Sequence, residues 1–282
     1  MSNFRAPSEI IGQYTEWAES RSRTDFSYKI LFRGVSSSEY SLLPSGWRGV
    51  FHFSSRNKEM REYLIDHLYL WAEDAATIDA RVQDLNILDL MALAQHYNFP
   101  TLLLDCTTNP MVALLFSVIN VEYKKEDAIV YSFAPKGEVW HKDEGIEADN
   151  DVDIENTPLL YRPPIFDQRI KAQYGVFTYH HSKETDIKEL YGEEMLTMGR
   201  HEFKTLDRFV IKQKEGVRLR NYLRSMGVHD FSIKPDLEGL SEFYKKMMKT
   251  SFRLGYLIPK KSPSDSYIED LVSSKPKNRP IP

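Results

Sequence analysis

Apolar residues recur at helical spacing near the start of the chain. Ile10, Tyr14 and Trp17 predict a polar amphipathic helix over residues 8–24. The run from Ser27 to Val35 reads as a strand that enters a turn at Gly34. Leu42 to Arg48 reads as a loop. From Lys58 to Gln83, the residues Leu64, Leu68, Trp71, Ala75, Ile78 and Val82 form one stripe and predict a long helix. A second apolar helix is predicted from Asn86 to His96. Asn109-Pro110 then opens a helix that is apolar nearly throughout to Ile119. Asn is a preferred N-cap and Pro suits the first helical position, so this start is well specified. The stretches 127–134, 174–179 and 206–211 read as strands. Glu215 to Met226 reads as a helix closed by Gly227, and Pro235-Asp236-Leu237-Glu238 begins another, with acids where the helix dipole favours them. No internal repeat is present. The mixture predicts an α+β protein, a single mixed domain around a central split β-sheet with several helices.

Between residues 136 and 160 the chain turns acidic and aperiodic, as in Asp149-Asn150-Asp151-Val152-Asp153. This reads as a surface insertion or mobile loop, with a substrate lid as the alternative. The tail from Lys260 is rich in Lys, Pro and Ser and reads as loosely held.

Composition narrows the class. The chain has 282 residues, 41% of them hydrophobic, and a formal net charge of −4. That supports a sizeable core and offers no global basic excess for holding nucleic acid. Lys212, Lys214, Arg218, Arg220 and Arg224 make one local basic cluster, which reads as a solvated helix face or a nucleic-acid contact. The single cysteine, Cys106, forms no internal disulfide and no thiolate cage, and reads as a small buried side chain. No metal is expected: His180 and His181 are adjacent in a strand and point to opposite faces. No apolar run is long enough to span a bilayer and none stands behind the N-terminal charge, so a cytoplasmic protein without membrane contact is expected.

No P-loop, Gly-x-Gly-x-x-Gly or Gly-x-Ser-x-Gly pattern occurs. The chemistry concentrates instead in Gln95 to Pro110, which delivers Asp105, Thr107, Thr108 and Asn109 at the mouth of an apolar helix. Two readings stay open there: a capped helix after a turn, or an anion cradle of hydroxyls and free N–H groups. His96 likewise reads as a helix cap or a site residue. Arg33 stands at a strand end just before a glycine.

The ordered motifs Phe32-Arg33-Gly34, Leu42-Leu43-Pro44-Ser45 with Arg48, Gln95-His96-Tyr97 with Pro100-Thr101, and Leu103-Leu104-Asp105 with Thr107, Asn109-Pro110 and Ala113-Leu114 resemble the FRG domain family. Arg169-Ile170 with Gln173, Gly175 and Phe177, and Pro235 to Leu240, extend the resemblance to about residue 245. Leu102 stands where the family usually has arginine, and Cys106 where it usually has tryptophan. The resemblance divides the chain into an N-terminal helical extension (1–26), an FRG-like domain (27–255, with the acidic insertion) and a flexible tail (256–282).

A weaker similarity is to the Arg-Ser-Glu class of mono-ADP-ribosyltransferases. It implies an ADP-ribosyltransferase-like fold and NAD as substrate. Arg33 would hold phosphate, and the stretch from Asp105 would stand for the Ser-Thr-Ser strand. The catalytic candidates are Arg33, Asp105, Thr107 and Gln173; the NAD-binding candidates are Arg33, Gly34, Arg48, Gln95, His96, Thr108 and Asn109. The glutamate of that class is missing near Gln173, with Glu184, Asp186, Asp236 or Asp105 as substitutes. The implied role is an NAD-consuming transferase or glycohydrolase, a bacterial toxin or phage-defence effector. Its acceptor would be protein or nucleic acid, and an inhibitory partner protein would restrain it. The alternatives are a non-catalytic nucleotide-binding domain and a nucleic-acid-binding defence effector. Arg33, Gln95, Asp105, Thr107 and Gln173 are expected to converge on one pocket.

Overall fold

The computed structural model describes residues 4–22, 30–48, 56–121, 125–142, 145–149, 152–165, 167–192, 195–198 and 201–253. The tail expected at 256–282 lies outside the described residues, as does the start of the predicted strand at Ser27.

The fold is α+β. Its central antiparallel sheet contains β1 (Leu31–Val35), β2 (Leu103–Thr107), β3 (Ala128–Phe133), β6 (Leu159–Tyr161), β7 (Gly175–Tyr179) and β10 (Leu206–Ile211), in the order β10-β3-β1-β2-β7-β6. Two hairpins stand outside it: β4 (Val139–Lys142) with β5 (Gly145–Ala148), and β8 (Met195–Met198) with β9 (His201–Lys204). β3 pairs along the full lengths of β1 and β10, and β2 pairs along its full length with β7. β1 and β2 are joined at a single partner pair, Phe32 opposite Thr107. The split in the sheet lies there, between the half β10-β3-β1 and the half β2-β7-β6.

Period-two alternation sorts the strand residues onto two faces. Leu31, Val35, Leu104, Cys106, Ile129, Tyr131, Phe133 and Val176 build one cluster that runs under both halves. On the opposite face the core divides. Phe32 and Val130 pack against α1 (Pro7–Ser22), α4 (Pro110–Val118) and α7 (Gln213–Ser225). Leu103, Phe177 and Tyr179 pack against α2 (Asn57–Ala76) and α3 (Ile87–His96). A cavity opens at the boundary between these two clusters.

Several local readings hold for local reasons. Asn109 caps α4 through its side-chain oxygen, which accepts from Met111 N at 2.9 Å. Asn86 caps α3 in the same way. Gly227, at φ +82°, closes α7. Gly34 is required by packing: a Cβ there would lie 1.8 Å from the Ala113 carbonyl oxygen. α4 therefore crosses β1 backbone to backbone. Among the described residues no helix is long and apolar enough to cross a membrane.

Three expectations are corrected. The helix predicted over 58–83 breaks after Ala76. The Thr77 hydroxyl bonds back to the Asp74 carbonyl, and Asp79 caps a short 3-10 turn over Ala80–Asp84, so Ile78 is 90% exposed rather than part of the stripe. Where the sequence read an aperiodic surface insertion or mobile loop, the described residues of the acidic segment include a hairpin. Its hairpin buries Val139, and Ile146, Val152 and Ile154 pack on the second core cluster. Its acids make turns: Asp149 accepts from Glu138 N, and Asp153 from Glu155 N. The helix of the N-terminal extension is part of the core. Ile10 and Tyr14 are fully buried, and the Tyr14 hydroxyl donates to the Pro110 carbonyl at 2.6 Å.

Candidate functional site

Beyond the Phe32–Thr107 pair the ladder between β1 and β2 stops, and the Arg33 side chain takes its place. Its Nη1 donates to the backbone carbonyl of Asp105 and lies 4.0 Å from the Asp105 carboxylate. The Arg33 side chain is 15% exposed, whereas that of Asp105 is 64% exposed, so the carboxylate is open to a ligand and the ion pair is loose. Arg33 Nε is buried and has no hydrogen-bond partner among the described residues. A buried cationic donor in that state favours a polar or anionic occupant.

The gap is a cavity of about 330 Å³. Of the residues singled out by sequence, Arg33, Gly34, His96, Asp105, Thr107 and Gln173 line it. The expected convergence holds for Arg33, Asp105, Thr107 and Gln173 and fails for Gln95. Gln95 instead accepts from the Thr101 hydroxyl, which itself accepts from Leu103 N and so sets the start of β2.

Thr108 and Asn109 do not line the cavity either. Thr108 is exposed and its N–H donates to the Tyr174 carbonyl, while Asn109 caps α4. The capped-helix reading of that corner is therefore right for Asn109. Arg48 sits on a turn near Arg33 and Asp105 without lining the cavity. Desolvation, then the Arg33 charge, lowers its pKa.

Two lining residues are committed to the scaffold. The Thr107 hydroxyl donates to the Gln173 carbonyl at 2.6 Å and accepts from Asn109 N at 3.0 Å. The Gln173 amide donates to the Ile233 carbonyl at 3.0 Å. Both latch β2 and α5 (Gln168–Gln173) to their neighbours. Cys106 forms part of the wall, and burial pushes its thiol up to about 12, which makes it inert as a nucleophile.

Three of the four proposed substitute acids do not line this cavity. Glu184 accepts from the Asn57 amide. Asp186 caps α6 (Ile187–Leu190) and accepts from Leu42 N. Asp236 binds Arg169. Asp105 is the one acid that lines the cavity among the described residues.

Residues 28–126 match the sequence model of the FRG domain family. The chain carries an FRG domain. The match runs from β1 through α4 and so contains both walls of the gap, with Arg33, His96, Asp105 and Thr107. No curated protein and no solved structure matches the chain.

The rest of the cavity comes from beyond the matched FRG segment. Arg169, Lys234 and the apolar side chain of Phe177 line it, facing Phe116 and the other lining residues of the matched segment. Arg169 is held by Asp236 and, at 2.5 Å, by Glu238. Lys234 stands 3.7 Å from Glu238. The acids of the Pro235–Glu238 turn, read from sequence as dipole partners, thus also fix two cations at the FRG cavity. Their spacing in sequence carried no signal for this.

His96 ends α3 with Nε2 3.7 Å from the Asp167 carboxylate, and burial lowers its pKa, so the ring is neutral near pH 7. Two non-glycine residues with positive φ adjoin the FRG cavity, Asn98 at +64° and Tyr174 at +49°. Asn tolerates that region; a tyrosine there is strained.

The basic cluster on α7 does not form one face. Arg220 is buried, Arg224 pairs with Asp230 at 3.1 Å, and Lys212 pairs with Asp127 at 2.8 Å. Lys214 and Arg218 remain exposed.

Proposed function

We propose that the cavity between β1 and β2 holds NAD and consumes it as an ADP-ribosyl donor. The carrying observation is Arg33, whose guanidinium spans the gap and keeps a buried, unpartnered Nε. A phosphate offers such a fork several acceptors at once. Arg169 and Lys234 add positive charge to the same wall, which favours a pyrophosphate further.

The remaining residues suit bond cleavage. Breaking the nicotinamide–ribose bond builds positive charge on the sugar ring, and the open carboxylate of Asp105 stabilises that charge. Phe116 and Phe177 give a flat ring an apolar wall. Asp105 takes the part that the missing glutamate would play. Draining NAD inside a cell is the chemistry of a toxin or defence effector, and such an activity calls for a restraining partner protein.

The test is nicotinamide release from NAD, with Arg33→Ala and Asp105→Asn as controls. Release by the wild type and its loss in both variants supports the reading.

A second reading is a nucleotide-binding domain without catalysis. The commitment of the Thr107 hydroxyl, which both donates and accepts within the scaffold, favours it, because that hydroxyl is not free to donate to ribose. Measurable NAD binding without turnover would establish it over the first.

A further inference from the structure

A second cavity, of about 410 Å³, adjoins the first at Arg169, which lines both. Asp167, Gln168, Asp236 and Arg81 line this outer cavity. His96 belongs to the inner cavity and Asp167 to the outer one, and they face each other at 3.7 Å. The pair therefore bridges the wall between the two spaces.

We infer that the outer cavity admits the acceptor, a hydroxyl compound or water, and that His96, faced by Asp167, takes its proton. This rests on the NAD reading. The acceptor oxygen forms its bond to C1′ of the nicotinamide ribose. The C1′–N bond breaks, and its electron pair goes to the pyridinium nitrogen and leaves neutral nicotinamide. The hydroxyl proton passes to an imidazole nitrogen of His96.

The local structure fits these roles. Asp167 caps α5: its Oδ1 accepts from Arg169 N at 2.5 Å, and Oδ2 is left toward His96. One carboxylate is thereby held in place while its second oxygen faces the ring at 3.7 Å as a charge partner, a looser arrangement than the hydrogen-bonded carboxylate–histidine pairs of other sites. The His96 side chain is 13% exposed, so the ring is shielded but reachable from the cavity.

Four charged groups act on His96. Asp167, Asp236 and Glu238 favour its protonated form, while burial, the largest influence, and Arg169 oppose it, and the net shift is downward. A neutral imidazole accepts a proton; an imidazolium cannot. Asp105, Arg33 and Lys234 are the other charges on the inner cavity wall.

The experiment is steady-state nicotinamide release by the full chain across pH 5–9, with NAD as the probe and water as acceptor. NAD binding is followed in parallel by calorimetry. His96→Gln is expected to lower kcat about 100-fold, with KM little changed and the rising limb of the pH profile lost. Asp167→Asn keeps a good N-cap and is expected to move that limb to lower pH, because it removes a charge that raises the ring's pKa. A residue of purely structural importance would not move the limb. Wild-type kcat and an unchanged limb in His96→Gln overturn this inference and leave the NAD reading intact. Absence of NAD binding in the wild type overturns both, and binding without release overturns transfer and its base together.

Discussion

Arg33 donates a side-chain hydrogen bond to the backbone carbonyl of Asp105, 72 residues further along the chain. It occupies the place where β1 would otherwise continue its ladder with β2. One side chain thus closes a sheet that its strands leave parted, and does so at the wall of a cavity. Lysine cannot reproduce this, because it lacks the planar fork and the second donor row. Arg33→Lys is expected to weaken NAD or ADP-ribose binding about tenfold or more, in line with about 1.5–3 kcal/mol for a hydrogen bond to a charged group. Calorimetry on the variant checks it. An unchanged affinity would remove Arg33 from the site.

Gly34 admits no side chain. A Cβ would meet the Ala113 carbonyl oxygen at 1.8 Å, and that atom is helix backbone, which cannot swing aside. Gly34→Ala is expected to cost about 3 kcal/mol or more, at the upper end of overpacking. Ala113→Gly should not rescue it, since the obstructing atom remains. Chemical denaturation of the single and double variants tests both statements.

His180 gives the fold an acid limit. It is fully buried between the Thr178 and Thr185 hydroxyls at 2.9 and 3.0 Å, and burial lowers its pKa to about 3. The unfolded ring titrates near 6.5, so below that pH the unfolded state binds a proton that the folded state refuses. Stability is full above pH ~6.5 and declines by up to about 1.4 kcal/mol per pH unit toward pH 3. Urea titrations at pH 7 and pH 5 should show the decline, and His180→Gln should flatten it while starting from a lower baseline.

Tyr174 stores strain beside the cavity. It holds φ +49° at the C-cap of α5 and the residue is 58% exposed. Tyr174→Gly should raise stability by about 1 kcal/mol, since glycine enters the left-handed region without the Cβ penalty. A rise in Tm with unchanged NAD affinity is the expected result. A fall in affinity would give the ring itself a part in binding.

Local rules were legible wherever they acted alone. Asn86 and Asn109-Pro110 announced α3 and α4, and both helices begin there. The stripe over 58–83 misled because Leu64 and Leu68 share a face with Val82 in a pattern that does not register the break. Thr77 and Asp79 redirect their own backbone, and periodicity is blind to that. The hairpin of β4 and β5 hid behind its charges, since its few apolar residues find their partners on α3 and β6 rather than within the hairpin. At the site, the meeting of Arg33 with Asp105 was expected from the family resemblance, not from local spacing. Arg169 and Lys234 were not, because the acids that hold them looked like ordinary first-turn residues.

Spacing, capping chemistry and the alternation of apolar residues are enough to name the α+β class and most helix starts. These are rules acting within a few residues, so the sequence alone carries them. Which polar groups stay available was settled only in three dimensions. Thr107, Gln173 and Asn109 each found a backbone partner, Arg33 kept a donor without one, and acids from a distant turn fixed Arg169 and Lys234 at the wall. A hydrogen bond is decided by whichever carbonyl the packed core brings opposite a donor, and that opposition exists only once the chain has folded.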